Sequence, residues 1–159
     1  MSPRRGLLAL LLLCSIVVTA CGGDNTISAR AAAPRLTKET YVEQANAICT
    51  KMNDAIAALG DPEEDATIDE YAESIDQWTE IVGGSLRELR ALPAPTGDEV
   101  TLRTVYAKVD TLLVDAIALR DALRVENMER AEELSTKIDE STDAANAASI
   151  AYGLTVCGE

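Results

Sequence analysis

The chain has 159 residues, 27 of them acidic against 14 basic, for a formal charge of −13, and it contains neither histidine nor phenylalanine. Without histidine, Ser-His-Asp and Cys-His catalytic arrangements are excluded, as is the Glu-x-x-His di-iron site of helical bundles. So acidic a surface repels phosphate backbones, which argues against nucleic acid as a partner.

The chain opens on Arg4 and Arg5, followed by a nearly unbroken apolar run over residues 7–18. That run is shorter than the roughly 20 residues a membrane helix needs, but suits the apolar core of an export signal. Small residues then lead into a cysteine, Val18-Thr19-Ala20-Cys21. This tetrad resembles the lipobox of bacterial lipoproteins: an aliphatic residue, a small residue, Gly or Ala, then Cys. The resemblance implies diacylglyceryl transfer to the Cys21 sulfur and cleavage before it, so residues 1–20 read as a lipoprotein signal peptide. The segment Pro3-Arg4-Arg5-Gly6-Leu7-Leu8 also resembles a twin-arginine signal. Pro3 stands where that pattern has Ser or Thr, and the strongly apolar run favours export of the unfolded chain.

Removing the signal leaves 12 basic and 27 acidic residues, a charge of −15. Such a surface also repels anionic headgroups, so membrane contact is expected through lipid on Cys21, at the extracytoplasmic face of the membrane. Of the four cysteines, Cys14 leaves with the signal and Cys21 takes the lipid. Cys49 and Cys157 remain, and two thiols in an exported domain are expected to form a structural disulfide. The alternative is a free or redox-active pair, but the chain has no Cys-x-x-Cys.

Residues 21–36 are rich in Gly, Ser, Ala and Asn and read as a flexible tether, with one domain over 37–159. The first helix is predicted from about Lys38 to Leu59, capped by Thr37. Tyr41, Ala45, Ile48, Met52, Ala55 and Leu59 form one face, flanked by Cys49, and Gly60 and Pro62 stop the helix. The second runs from about Ile68 to Ala91 behind the capping box Thr67–Glu70, with Ile68, Tyr71, Ile75, Trp78, Val82, Leu86 and Leu89 apolar. Gly83-Gly84 interrupts it, and marks either a close helix crossing or kink, or a ligand gap beside Trp78. Leu92-Pro93-Ala94-Pro95 ends it in an extended turn.

Thr96-Gly97-Asp98-Glu99 predicts a second capping box, opening a third helix with Leu102, Val105, Val109, Leu112, Ala116, Leu119 and Leu123 on its apolar face. Glu99 and Arg103 are spaced for an i,i+4 ion pair. Asn127 is the candidate N-cap of a fourth helix carrying Ala131, Leu134, Ile138, Ala145, Ala148 and Tyr152, although one continuous helix is the alternative. Ala144, Ala145, Ala147, Ala148 and Ala151 favour close helix packing. Gly153 ends the helix, leaving a tail that must run back to bring Cys157 to Cys49. The fold expected is all-α: an up-down four-helix bundle with one disulfide. The run Tyr41-Val42-Glu43-Gln44-Ala45-Asn46-Ala47-Ile48-Cys49, the Pro-rich turn and Cys157 resemble small helical lipoproteins of actinobacteria. That resemblance implies the bundle and the disulfide, and no activity.

Glu63-Glu64-Asp65 with Asp69-Glu70 is the densest acidic cluster, but its spacing does not match a calcium loop and reads as solvated surface. No catalytic residue, metal-ligand set or cofactor motif emerges. The expected function is a non-catalytic, lipid-anchored cell-envelope protein that binds a protein partner or serves as a structural accessory. The alternative is a small-molecule or lipid carrier with its site between helices near Trp78, Gly83 and Gly84. A carboxylate-based enzyme would need two buried acids about 5–10 Å apart.

Overall fold

The computed structural model describes residues 35–63 and 65–158; the predicted signal, Cys21 and most of the predicted tether lie outside the described residues. Four helices follow in order: α1 (Lys38–Leu59), α2 (Ile68–Ala91), α3 (Glu99–Arg124) and α4 (Met128–Tyr152), then a 3-10 turn at Val156–Gly158. Among the described residues there is no strand, and no helix is long and apolar enough to cross a membrane.

Local chemistry sets most of these boundaries. The Thr37 hydroxyl accepts the Thr40 N–H and so satisfies one of the first-turn donors of α1. At α2 the box is reciprocal: Thr67 accepts from the Glu70 N–H, and Glu70 accepts from the Thr67 N–H. Asn127 caps α4 by accepting from Arg130, and Glu126 before it, at φ 53°, makes the break from α3. The two helices are therefore separate.

The start of α3 departs from expectation. Asp98 is its N-cap but already has helical backbone angles, and its side chain makes no cap hydrogen bond. Its carboxylate instead accepts from the Tyr152 hydroxyl at 2.7 Å. Glu99 turns back to accept from the Gly97 N–H at 2.9 Å and pairs with Arg35, so neither the Thr96 capping box nor the Glu99–Arg103 pair forms. Arg35 and Leu36, read as tether, thus belong to the domain: Leu36 packs against the core.

Sequential helices are antiparallel neighbours. Asp76 of α2 binds Arg120 and Arg124 late in α3, while Arg90 near the end of α2 binds Asp110 at 2.5 Å. Tyr152, ending α4, reaches Asp98 at the start of α3. The helices pack in chain order, α1 on α2, α2 on α3 and α3 on α4, but no Cα of α1 lies within 8 Å of one in α4. The fourth edge of the bundle is open.

The predicted apolar faces are buried in their central portions. Tyr41, Ala45 and Cys49 are fully enclosed, as are Leu86, Leu102, Val105, Leu134 and Leu154 to within a few per cent. Two positions depart from the pattern. Ile68 and Tyr71 are exposed, and Ala72 turns inward there instead. On α4, Ala145 is buried but Ala147 and Ala151 face solvent.

Asp115 was not expected in the core. It is 2% exposed on α3, and its two carboxylate oxygens accept from Lys137 Nζ at 2.6 Å and Ser141 Oγ at 2.7 Å on α4. Burial alone would push this carboxyl up, but the hydrogen bonds from Lys137 and Ser141 outweigh it and hold it below the usual carboxylate value. Lys137→Ala should therefore destabilise the domain by about 1–3 kcal/mol at neutral pH, since a buried acceptor loses its charged partner. A carboxyl with a depressed folded value stabilises above its unfolded value, near 4, and that stabilisation disappears as pH falls through the folded value. The wild type should thus lose stability on acidification more steeply than Lys137→Ala. Urea unfolding at several pH values measures both, and equal stabilities at neutral pH would show that Lys137 is not the partner that matters.

Candidate functional site: a cleft along the open edge

The buried residues fall into two clusters. One joins Tyr41, Ala45, Cys49, Leu86, Leu102, Val105, Tyr106, Tyr152 and Leu154; the other joins Ala72, Ala122, Leu123, Ala131 and Leu134 from α2, α3 and α4 only. Between them, where the backbones of α1 and α4 stand apart, lies a cleft.

Its main lobe is a cavity of about 460 Å³. Met52, Asn53, Ile56 and Ala57 line it from α1; Trp78, Val82 and Leu86 from α2; Val105, Val109 and Leu112 from α3. On α4 the wall is polar, with Thr142, Asn146 and Ser149 at helical spacing beside Ala145. A second lobe, about 490 Å³, shares Ile56, Ala57, Trp78 and Thr142 with the first and continues to Leu59–Pro62, where α1 ends. Among the described residues no charged side chain lines the main lobe, and Asp61 alone does so in the second. The buried carboxylate of Asp115 lines neither.

The tail closes one end. Gly153, at φ 109°, takes the left-handed position that ends α4: its N–H reaches Ile150 O, and the Leu154 N–H reaches Ser149 O. This reverses the chain so that Leu154, 1% exposed, turns into the core. Asn53 Nδ2 of α1 then donates to Val156 O at 3.0 Å, and Cys157 bonds to Cys49, whose Cα is 5.1 Å away. A Cβ on Gly158 would lie 2.6 Å from Ile150 Cγ1 and 3.0 Å from Asn146 O, so the strap seats tightly on α4 only as glycine. The disulfide and Leu154 both line the main lobe.

Behind the strap, three tyrosines fill the end of the bundle. The Tyr41 ring meets Tyr152 edge-on at 6.0 Å. The Tyr106 hydroxyl donates to Leu89 O at 3.2 Å, which leaves Tyr41 to donate to the Tyr106 oxygen. Burial, then the loss of these donated hydrogen bonds on ionisation, pushes the Tyr41 and Tyr152 phenols well above the ordinary tyrosine value; burial raises Tyr106 as well. Lys38 sits over the Tyr152 ring at 4.6 Å.

The structure places the predicted site residues unequally. Cys49 and Cys157 are joined, and Trp78 stands at the junction of the two lobes. Gly83 and Gly84 do not line the cleft. Trp78, Val82 and Leu86 share a face at four-residue spacing, and each further residue turns about 100° away. A Cβ on Gly83 would meet Arg87 at 3.7 Å and Leu113 at 4.0 Å, ordinary contact, so the glycines mark neither a ligand gap nor a tight crossing. The Thr142, Asn146 and Ser149 wall escaped the sequence reading. Its signal was the interruption of an otherwise alanine-rich inward face by three polar residues. Among the described residues no group of three His, Cys, Asp or Glu side chains could hold a metal ion. Cys21 lies outside the described residues.

Comparison of the chain with protein-family models, with curated proteins and with solved structures finds no match. The functional reading therefore rests on the residues themselves.

Proposed function

We propose that the protein is an exported, lipid-anchored and non-catalytic carrier that holds an apolar small molecule between α1 and α4. The observation that carries this reading is the cleft: about 460 Å³ in its main lobe, within the range of small-molecule sites, apolar on three walls and polar on one. A four-helix bundle of this size ordinarily closes its fourth edge; here the edge is left open and strapped at one end. The cleft shifts the balance from the partner-binding accessory expected from composition to the carrier. Lipid on Cys21 would hold the domain near the membrane, with the acidic surface keeping it off anionic headgroups.

Native mass spectrometry of protein purified from its own host should show an apolar adduct. The test variant is Ala57→Phe. Ala57 is exposed, lines both lobes at the rim, and can take a larger side chain across the opening without entering the core. The variant should keep its helix content and lose the adduct. Wild-type protein that carries nothing would remove the reading, as would an adduct that Ala57→Phe retains in full.

A further inference from the structure

We infer that the cleft takes a single linear hydrocarbon chain, entered at the α1–α2 turn and stopped by Leu154 and the disulfide. This rests on the carrier reading and names the class of its ligand.

The two lobes form one groove, because both are lined by Ile56, Ala57, Trp78 and Thr142. Along α1 it runs from Cys49 to Leu59, about 15 Å at the helical rise of 1.5 Å per residue. A compact or ring-shaped ligand would use one lobe; a linear chain uses both. The strap end is solid: Leu154 is 1% exposed, and beyond it Tyr41 and Tyr152 fill the bundle. The opposite end adjoins a third depression of about 400 Å³, which shares Leu59, Gly60, Asp61 and Pro62 with the groove. Asp61, Glu63, Asp65 and Glu70 line that depression, and among the described residues no Lys or Arg does. An amphiphile with its chain in the groove places its head there. Charge complementarity then favours a cationic head over an anionic one.

The strap is thus a length stop. Its position depends on the Cys49–Cys157 bond, on Asn53 holding Val156, and on Leu154 being turned inward.

The test titrates the full domain with alkyltrimethylammonium probes of increasing chain length, below their micelle concentrations. Trp78, the single tryptophan of the chain, reports binding by fluorescence. Affinity should rise about fourfold per added CH₂, the factor that transfer of one methylene from water supplies, and then level off once the groove is filled. Leu154→Val should move the plateau to a longer chain while the disulfide, checked by thiol labelling, stays intact. Alkyl carboxylates of the same length should bind at least several-fold more weakly at low salt. Steady growth of affinity with no plateau, or a plateau that Leu154→Val does not move, would overturn the length stop. Equal binding of carboxylates would overturn the assignment of the head. If no alkyl probe binds but an apolar adduct persists in the mass spectrum of host-purified protein, the linear-chain class is wrong and the carrier reading survives. If both are absent, both fall.

Discussion

Replacing Cys49 and Cys157 together by alanine should lower the stability of the domain by about 4–5 kcal/mol. The two cysteines are 108 residues apart, so the bond closes a loop containing nearly all the described domain. On the chain-entropy account, a closed loop of that length removes more freedom from the unfolded chain than a short one does. Against a typical total of about 5–15 kcal/mol, this is roughly a quarter of the stability or more. Alanine is the proper replacement at position 49. The site is 0% exposed, and a serine hydroxyl there would add a burial cost unrelated to the cross-link. Urea unfolding of oxidised wild type and double variant gives the difference, and reduction of the wild type should reproduce it. A loss under about 1 kcal/mol would mean that the unfolded chain is already compact, or that the strap holds without the bond. The same variant should loosen the strap locally: amide protons of residues 154–158 should exchange faster while those of α2 and α3 keep their order of protection.

How much of this was legible in the sequence divides along local and non-local lines. Thr37, Thr67 with Glu70, Asn127 and Gly153 act on backbone groups within a few residues, and each ended or began a helix where its chemistry says it should. The pairing of Cys49 with Cys157 was legible because a chain expected to be exported has few other uses for two thiols. Thr96 failed for a non-local reason. Asp98 and Glu99, which follow it, are claimed by Tyr152 and Arg35, partners 54 and 64 positions from them. Asp115 was hidden because its spacing sits one step off an apolar row, and only Lys137 and Ser141, on another helix, make its burial tolerable. The cleft was half legible. Trp78 marked its level, but its existence depends on α1 and α4 standing apart, which no single helix pattern encodes. Gly83-Gly84 drew attention as a break in propensity, yet position around the helix decides what a residue faces.

Tyr41→Ala should be among the most damaging single changes. Tyr41 is the largest of the fully buried side chains, and removing a buried aromatic ring costs about 3–5 kcal/mol. Tyr41→Phe separates packing from hydrogen bonding: it keeps the ring and deletes only the hydroxyl that donates to Tyr106, at about 1 kcal/mol. The two variants also differ in a way that pH exposes. A phenol raised in the folded state is fully stabilising below the unfolded tyrosine value of about 10, and that stabilisation is lost as pH rises toward the folded value, because the unfolded chain releases its proton first. Each such tyrosine adds a loss of about 1.4 kcal/mol per pH unit above that point. Tyr41, Tyr106 and Tyr152 are all raised, so the wild type should unfold steeply in alkali. Tyr41→Phe should remove one of the three contributions, becoming relatively more stable as pH rises even though it is weaker at neutrality. Denaturant unfolding followed by circular dichroism between neutral pH and alkali measures the slope. An unchanged slope in Tyr41→Phe would show that the Tyr41 phenol is open to solvent, and that the strap end of the cleft is not the solid stop described above.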